Sequence, residues 1–476
     1  MPSAATMKMR SFDETAALHD ICFVLNVNSR GWILEKICRV IESASGSVCF
    51  YLFSERNDKL SYPLPAARNY FFAHFALAVA VMKNYPDVKS ANCFVWYTHP
   101  DLSKGVTKDD LVNLAAACTL VFTPCSLNRE TLVEWGAQPN NIMVPLGGAD
   151  PAHFQPKTRT GDGAIGFVGA YYERKQPEKM LEIAYAMPDK KVILVGPRAE
   201  DVENASLVWH HWERFQEFQS LPNVEYIEAH YDDFPQHYRS FDVYCSTSLL
   251  EGGPIPAIEA MMSNVVPVIS DTGFARDIIS HGRNGYIFHP SSASEDIISL
   301  IRQALANTET DIAASAARFS WEEFGSAIWR GIRGDIQRDQ KVSFHESTSA
   351  ARYLTRGFHP VEQRGVWMRA AEAELTLPVA ENFEPKEIEF FLWIPAEGGE
   401  TSVTMQFYVG GKLAATHEVT ARAATYRIPV NAGYLTDRRV FRVRIETSRL
   451  FKKEDWPSNA TEKRSLGAKI GWVRVR

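Results

Sequence analysis

The chain lacks the marks of several large protein classes. None of its seven cysteines, at 22, 38, 49, 93, 118, 125 and 245, forms a CxxC pair. An odd, scattered set argues against a disulfide framework or a zinc site and predicts reduced core thiols. No G-x-x-x-x-G-K-[ST] and no H-E-x-x-H occurs, so neither a P-loop NTPase nor that class of zinc protease is supported. The longest apolar run, Tyr70 to Met82, is interrupted by His74 and is too short to span a bilayer. It reads as a buried helix. The N-terminus has no apolar stretch behind its few basic residues, which predicts no secretory leader and a cytoplasmic protein with at most peripheral membrane contact. No nucleic-acid partner is expected, and the oligomeric state is left open.

What is present is ordinary in bulk and organised in detail. At 476 residues the chain exceeds what one core usually serves, so two or three domains are expected. The net charge of −6 conceals an asymmetry, because residues 351–476 carry 20 Lys+Arg against 15 Asp+Glu. From "ICFVLNV" (Ile21 to Val27) to "FQP", apolar strand signals alternate with helical ones, and a second such series opens at "AIGFVGA" near Ala164. That alternation predicts parallel sheets built from βαβ units, here two Rossmann-like domains at 1–158 and 159–340. Their cleft is the natural ligand site. The polar stretch 341–355 reads as a linker. Beyond it the pattern switches to period 2, as in "VFRVRIE", with a Gly410-Gly411 hairpin, and predicts a β-sandwich over 356–476. Trp367 and Trp472 are read there as core residues, with glycan contact as the alternative.

The stretch "LLEGGPIPAIEAM" (Leu249 to Met261) follows the strand-like "FDVYCSTS" and leads into good helix formers. Pro254 and Pro256 fix φ and remove donors, so the reading is strand, tight loop, helix. At the carboxyl edge of a parallel sheet such a loop faces ligand. Glu251 and Glu259 suit sugar hydroxyls, since a carboxylate accepts from adjacent hydroxyls. "GFVGAYYERKQPEKM" places Arg174 and Lys175 on a comparable loop before a helix near Pro177, where cations and helix amides hold a diphosphate. By contrast "GDGAIG" (Gly161 to Gly166) precedes a strand rather than a helix, and is rejected as a cofactor loop.

Together these stretches resemble the group 1 retaining glycosyltransferases, whose architecture is GT-B. "EGGPIPAIEAM" follows that family's two-glutamate motif at Glu251, Gly252, Pro256, Glu259, Ala260 and Met261, with Pro254 in place of a glycine. "VPLGGADPAHFQP" and "HGRNGYIF" agree in the same order. The resemblance implies that Glu259 binds ribose, that Glu251 contacts the donor hexose, and that amides around Gly253, Pro254 and Ile255 hold sugar hydroxyls. It implies that Lys175 neutralises the diphosphate and that Gly31 lets backbone approach the phosphates. Two positions depart from the family: Ala170 stands where an arginine is usual, leaving Arg174 to substitute, and Asn264 replaces a glycine. His99, after "CFVWYT", is a candidate to face the acceptor. The expected reaction is retaining transfer from a nucleotide diphosphate sugar to a glycan or lipid-linked acceptor, in bacterial surface polysaccharide synthesis, with no metal or other cofactor. The alternatives are a non-catalytic assembly protein and a sugar-nucleotide epimerase of the same fold.

Overall fold

The computed structural model describes residues 19–56, 60, 64–65, 67–84, 92–98, 102, 105–202, 205–345, 348–395, 402–436, 439–452 and 464–476. The chain divides into two compact units, the first reaching Trp329 and the second beginning at Arg330; the short stretches 92–93 and 117–120 group with the second.

In the α/β unit the first sheet holds β1 (His19–Asn26), β2 (Cys49–Ser54), β3 (Ala67–Phe72), β4 (Asn92–Trp96), β5 (Leu120–Phe122) and β6 (Ile142–Met143), in the order β2-β1-β3-β4-β5-β6. Ile21 through Leu25 are fully buried, as expected where helices cover both faces of a parallel sheet. The connecting helices are α1 (Ile33–Ser45), α2 (Phe75–Asn84), α3 (Lys108–Ala117) and α4 (Ser126–Glu134). Gly46 ends α1 in the left-handed conformation. The apolar run Tyr70 to Met82, read above as one helix, is instead the end of β3 and most of α2. A short run buried on all sides carries no period by which strand and helix can be told apart.

The second sheet contains β7 (Ala164–Val168), β8 (Val192–Pro197), β9 (Val224–Ala229), β10 (Phe241–Ser246), β11 (Val266–Ser270) and β12 (Tyr286–Phe288), ordered β12-β11-β10-β7-β8-β9. Its helices are α5 (Pro177–Ala186), α6 (Phe215–Gln219), α7 (Phe234–Tyr238), α8 (Ile255–Met262), α9 (Ala275–Ile278), α10 (Ser294–Ala306), α11 (Ile312–Ala316) and α12 (Trp321–Arg333). "LVWHHWERFQEF" is not the long helix its composition suggests. It forms short 3₁₀ turns and the five-residue α6, with Trp209, Trp212, Phe215 and Phe218 all buried. Asn264 takes a left-handed φ of 59°, and its side chain bonds Lys157 O and the Ile312 amide, so it is a half-buried brace. The two halves are tied where Asp277 of α9 accepts from the Ser126 amide and hydroxyl at the N-terminus of α4.

The G-x-G loop before β7 serves the fold. Its Gly161 and Gly163 amides donate to Asp242 Oδ2 at 2.7 and 3.0 Å, and Lys157 Nζ lies 2.5 Å from Oδ1. A Cβ on Gly163 would fall 2.5 Å from the Asp242 carboxyl carbon.

The second unit is a β-sandwich. One sheet runs β13 (Lys341–Ser343), β22 (Lys469–Val475), β17 (Glu387–Trp393) and β20 (Ala424–Pro429), with β15 (Val366–Trp367) also on β22; the other runs β14 (Leu354–Arg356), β16 (Glu372–Pro378), β21 (Val440–Thr447), β18 (Ser402–Val409) and β19 (Lys412–Thr420). Gly410 and Gly411, with φ of 57° and 81°, make the expected hairpin turn. The stretch expected as a linker is part of this unit: Lys341–Ser343 pair with β22, and Val342 and Phe344 are buried in its core. Alternation over three residues is too short to announce a strand in the sequence. Trp472 is half-buried outside the core, stacked 5.5 Å from Phe391 with Lys341 Nζ 4.8 Å from its ring, while Trp367 packs against the core edge. Among the described residues no helix is long and apolar enough to cross a membrane.

Asp242 is 2% exposed, paired with Lys157 and bonded by loop amides. Asp242→Ala is therefore expected to cost about 3–5 kcal/mol, read as a lowered urea midpoint.

Candidate functional site

Two loops at the carboxyl ends of β7 and β10 are hydrogen-bonded to one another. The Leu249 amide donates to Arg174 O at 2.7 Å, Thr247 Oγ1 donates to Lys175 O at 2.7 Å, and Gln176 Nε2 donates to Thr247 O at 2.5 Å. Gln176 holds φ at 51°, a left-handed turn that is uncommon for a residue with a side chain and that directs the chain into α5 at Pro177. Arg174 crosses between the loops, donating to Leu250 O at 2.7 Å and pairing with Glu251 Oε1 at 3.1 Å. Ser248 Oγ donates to the same oxygen at 2.7 Å. Among the described residues Glu251 Oε2 receives no hydrogen bond.

Lys175 turns back over the end of β7, its Nζ 3.4 Å from Val168 O. Gly169 makes this possible, since a Cβ there would stand 2.6 Å from that nitrogen. Burial drives the ammonium down to about 8, opposed by Glu251 and assisted by Arg174. A desolvated cation of this kind is poised to gain charge stability from an incoming anion. At the position without an arginine, Ala170, the neighbouring chain is occupied by aromatics: Trp209 Nε1 donates to Gly169 O and its ring meets Tyr171 edge-on.

The loop Glu251–Pro254 is held from both sides. Gly253 packs on Phe274, with Pro124 of the first half 3.4 Å from where its Cβ would be, and Gly273 lies under Gly252 O and Pro254. Pro254 is the N-cap of α8 and Pro256 lies in its first turn, as the spacing predicts. The Ile255 amide is spent on Gly253 O at 2.8 Å, whereas the Gly252 and Gly253 amides have no partner among the described residues. Of the expected amides, that of Ile255 is thus engaged within the loop and that of Gly253 has no partner among the described residues.

Glu259 is 1% exposed on α8, with Tyr231 Oη donating to Oε1 at 2.7 Å and Tyr238 Oη to Oε2 at 2.9 Å. Burial raises its carboxyl to about 7 against the pull of both hydroxyls and of Lys36. Lys36, on α1 of the first half, sits 5.1 Å from the Tyr231 ring and 4.8 Å from the Trp321 ring. Sequence reasoning overlooked Lys36, Tyr231, Tyr238 and Ser248, which belong to no motif; only Ser248, three residues before Glu251, carried a local signal. Tyr244 of β10 lies in the field of both glutamates. Gly31 has the expected positive φ of 74°, but its amide donates to Glu35 Oε2 at 2.9 Å, so that donor is engaged by the protein's own carboxylate. His99 lies outside the described residues. Among those described, no cluster of three His, Cys, Asp or Glu is arranged to hold a metal ion.

Residues 149–319 match the family model described as Glycosyl transferases group 1. That stretch is similar to this family over about a third of the chain. Sulfoquinovosyl transferase SQD2 of Arabidopsis thaliana is 26% identical over 293 residues, covering 56% of this chain and 53% of that protein. The chain thus spans about half the length of this curated relative. Among solved structures, sucrose-phosphate synthase of Thermosynechococcus elongatus superposes with a TM-score of 0.54 at 12% identity, over 65% of this chain and 97% of that one. The lipopolysaccharide outer core galactosyltransferase WaaB gives 0.51 at 15%, over 66% and 98%. Both likenesses bear on the fold, and with the two parallel sheets they establish the GT-B architecture. Within the matched stretch the two-glutamate loop and the Arg174-Lys175 loop are adjacent.

Binding of a nucleotide sugar that needs Glu259 ionised and Lys175 charged should peak between pH about 7 and about 8. Lys175→Arg, with a guanidinium that stays charged, should abolish the alkaline limb in calorimetric titrations while leaving the acid one. Because the folded-state value for Glu259 lies above that of an unfolded glutamate, its burial destabilises the fold increasingly as pH rises through 7. Glu259→Gln should therefore raise Tm at pH 8 and change it little at pH 5, and any nucleotide-sugar binding should weaken at pH 8 far more than at pH 5.

Proposed function

We propose that this protein transfers a glycosyl unit from a nucleoside diphosphate sugar to a hydroxyl of a glycan or lipid-linked acceptor, with retention at the anomeric carbon, in the synthesis of a bacterial surface polysaccharide. The observation that carries the reading is the hydrogen-bonded pairing of the Arg174–Gln176 and Thr247–Glu251 segments, which sets a carboxylate beside two cations at the carboxyl edge of a parallel sheet. One sugar hydroxyl finds an acceptor at Glu251 Oε2, and the Gly252 and Gly253 amides supply donors. The diphosphate falls to Lys175 and Arg174.

Charge grows on the departing nucleoside diphosphate as the glycosidic bond breaks. A cation already desolvated and fixed at that place stabilises the transition state more than the ground state, because no solvent must reorganise around it. On this reading Lys175 and Arg174 supply the charge that a divalent cation provides in other transferases, and turnover is metal-independent. Support for a nucleotide sugar comes from a related fold: HepE of Anabaena, solved in complex with UDP-glucose, superposes with a TM-score of 0.50 at 15% identity over 65% of this chain and 98% of that one.

The test is incubation with a panel of nucleotide sugars in the presence of EDTA. Slow donor hydrolysis, with the released sugar first appearing in the donor's anomeric form by NMR, is the expected result. Interconversion of donors would show an epimerase, and no binding of any donor would overturn the enzymatic reading. Lys175→Met should lower hydrolysis by about 10²–10³-fold.

A further inference from the structure

The second glutamate is not open in this structure: both of its oxygens are in use. Tyr238 is buried completely and its hydroxyl also lies 3.3 Å from Pro256 O, so it belongs to the core. Tyr231 differs. It is 38% exposed and stands on a three-residue 3₁₀ turn after β9, yet its hydroxyl takes Glu259 Oε1 at 2.7 Å. Lys36 rests against its ring, and the Trp321 ring lies on the same ammonium. The neighbourhood holds polar atoms without protein partners among the described residues. Trp321 is 8% exposed with its indole Nε1 unbonded, and His153, whose ring is 6.3 Å from Tyr231, has Nε2 unbonded.

We propose that Tyr231 is a built-in competitor for the ribose hydroxyls, occupying Glu259 when no nucleotide is bound and leaving when one arrives, with Lys36 setting the strength of its hold. The inference rests on the reading of Glu259 as the ribose ligand. A phenol hydroxyl and a ribose hydroxyl offer a carboxylate the same bond, so the exchange conserves hydrogen bonds at Oε1. An empty site therefore never carries a bare buried carboxylate, which would be costly. The exchange also couples the halves of the α/β unit, because the cation braced on Tyr231 belongs to α1 in the first half and the carboxylate to α8 in the second. The charged groups acting here are Glu259, Lys36, Asp150 and Asp232, with Tyr231 and Tyr238 as the titratable donors.

Calorimetric titration of UDP, ADP and GDP, each with its 2′-deoxy counterpart, into the full chain and its Tyr231→Phe and Lys36→Met variants tests this. Phenylalanine keeps the ring against Lys36 and removes only the hydroxyl, and an unchanged circular dichroism spectrum with a cooperative melt confirms that the fold is retained. Tyr231→Phe should bind the preferred ribonucleotide about tenfold more tightly, with a larger ribose-over-deoxyribose ratio. Lys36→Met should also tighten binding, by a smaller factor. Weaker or unchanged binding by Tyr231→Phe overturns the competitor role. If the unmodified chain binds ribo and deoxy forms equally, or binds none of them, the ribose reading itself fails, and the inference fails with it.

Discussion

The site depends on the exchange of hydrogen bonds between two backbone segments that lie about seventy residues apart. Leu249 N to Arg174 O, Thr247 Oγ1 to Lys175 O and Gln176 Nε2 to Thr247 O join the loop after β7 to the loop after β10. These strands are neighbours in the sheet, so their loops leave the same edge and must satisfy each other's polar groups or be exposed to water. With the loops fixed, Arg174 has one place to go, between Leu250 O and Glu251. Lys175 is turned inward over Gly169.

Around that join the protein handles buried charge in three ways. Asp242, below the site, is met by Lys157 and by loop amides, and its role is structural. Lys175 is only partly compensated, and burial holds it near the point of losing its proton. Glu259 is satisfied by neutral hydroxyls instead of a close cation, which leaves its carboxyl near 7. The first arrangement favours a rigid fold, while the other two leave a buried group whose charged form is disfavoured by desolvation.

Much of this was legible in the chain. Alternating strand and helix signals gave the two parallel sheets, and period 2 after residue 356 gave the sandwich, because those periods follow from backbone geometry alone. The prolines at 254 and 256 marked the start of α8, since a helix tolerates a missing donor in its first turn and not in its interior. Tyr70 to Met82 misled for the converse reason: a segment buried all round has no polar face to reveal its period. The stretch 341–343 looked like a linker because a three-residue strand is defined by its partner, β22, more than by its own residues.

Residue types at fixed offsets therefore determined the architecture, the two loops and the identities of Glu251, Glu259, Arg174 and Lys175. Which groups meet those side chains was decided only by the tertiary structure. Tyr231 and Tyr238 reach Glu259 from another loop, Lys36 comes from the first half of the α/β unit, and Glu35 takes the Gly31 amide. Local sequence sets backbone conformation over a few residues; protonation and hydrogen-bond occupancy are set by whatever the folded chain brings within a few ångströms, and that distance has no counterpart along the sequence.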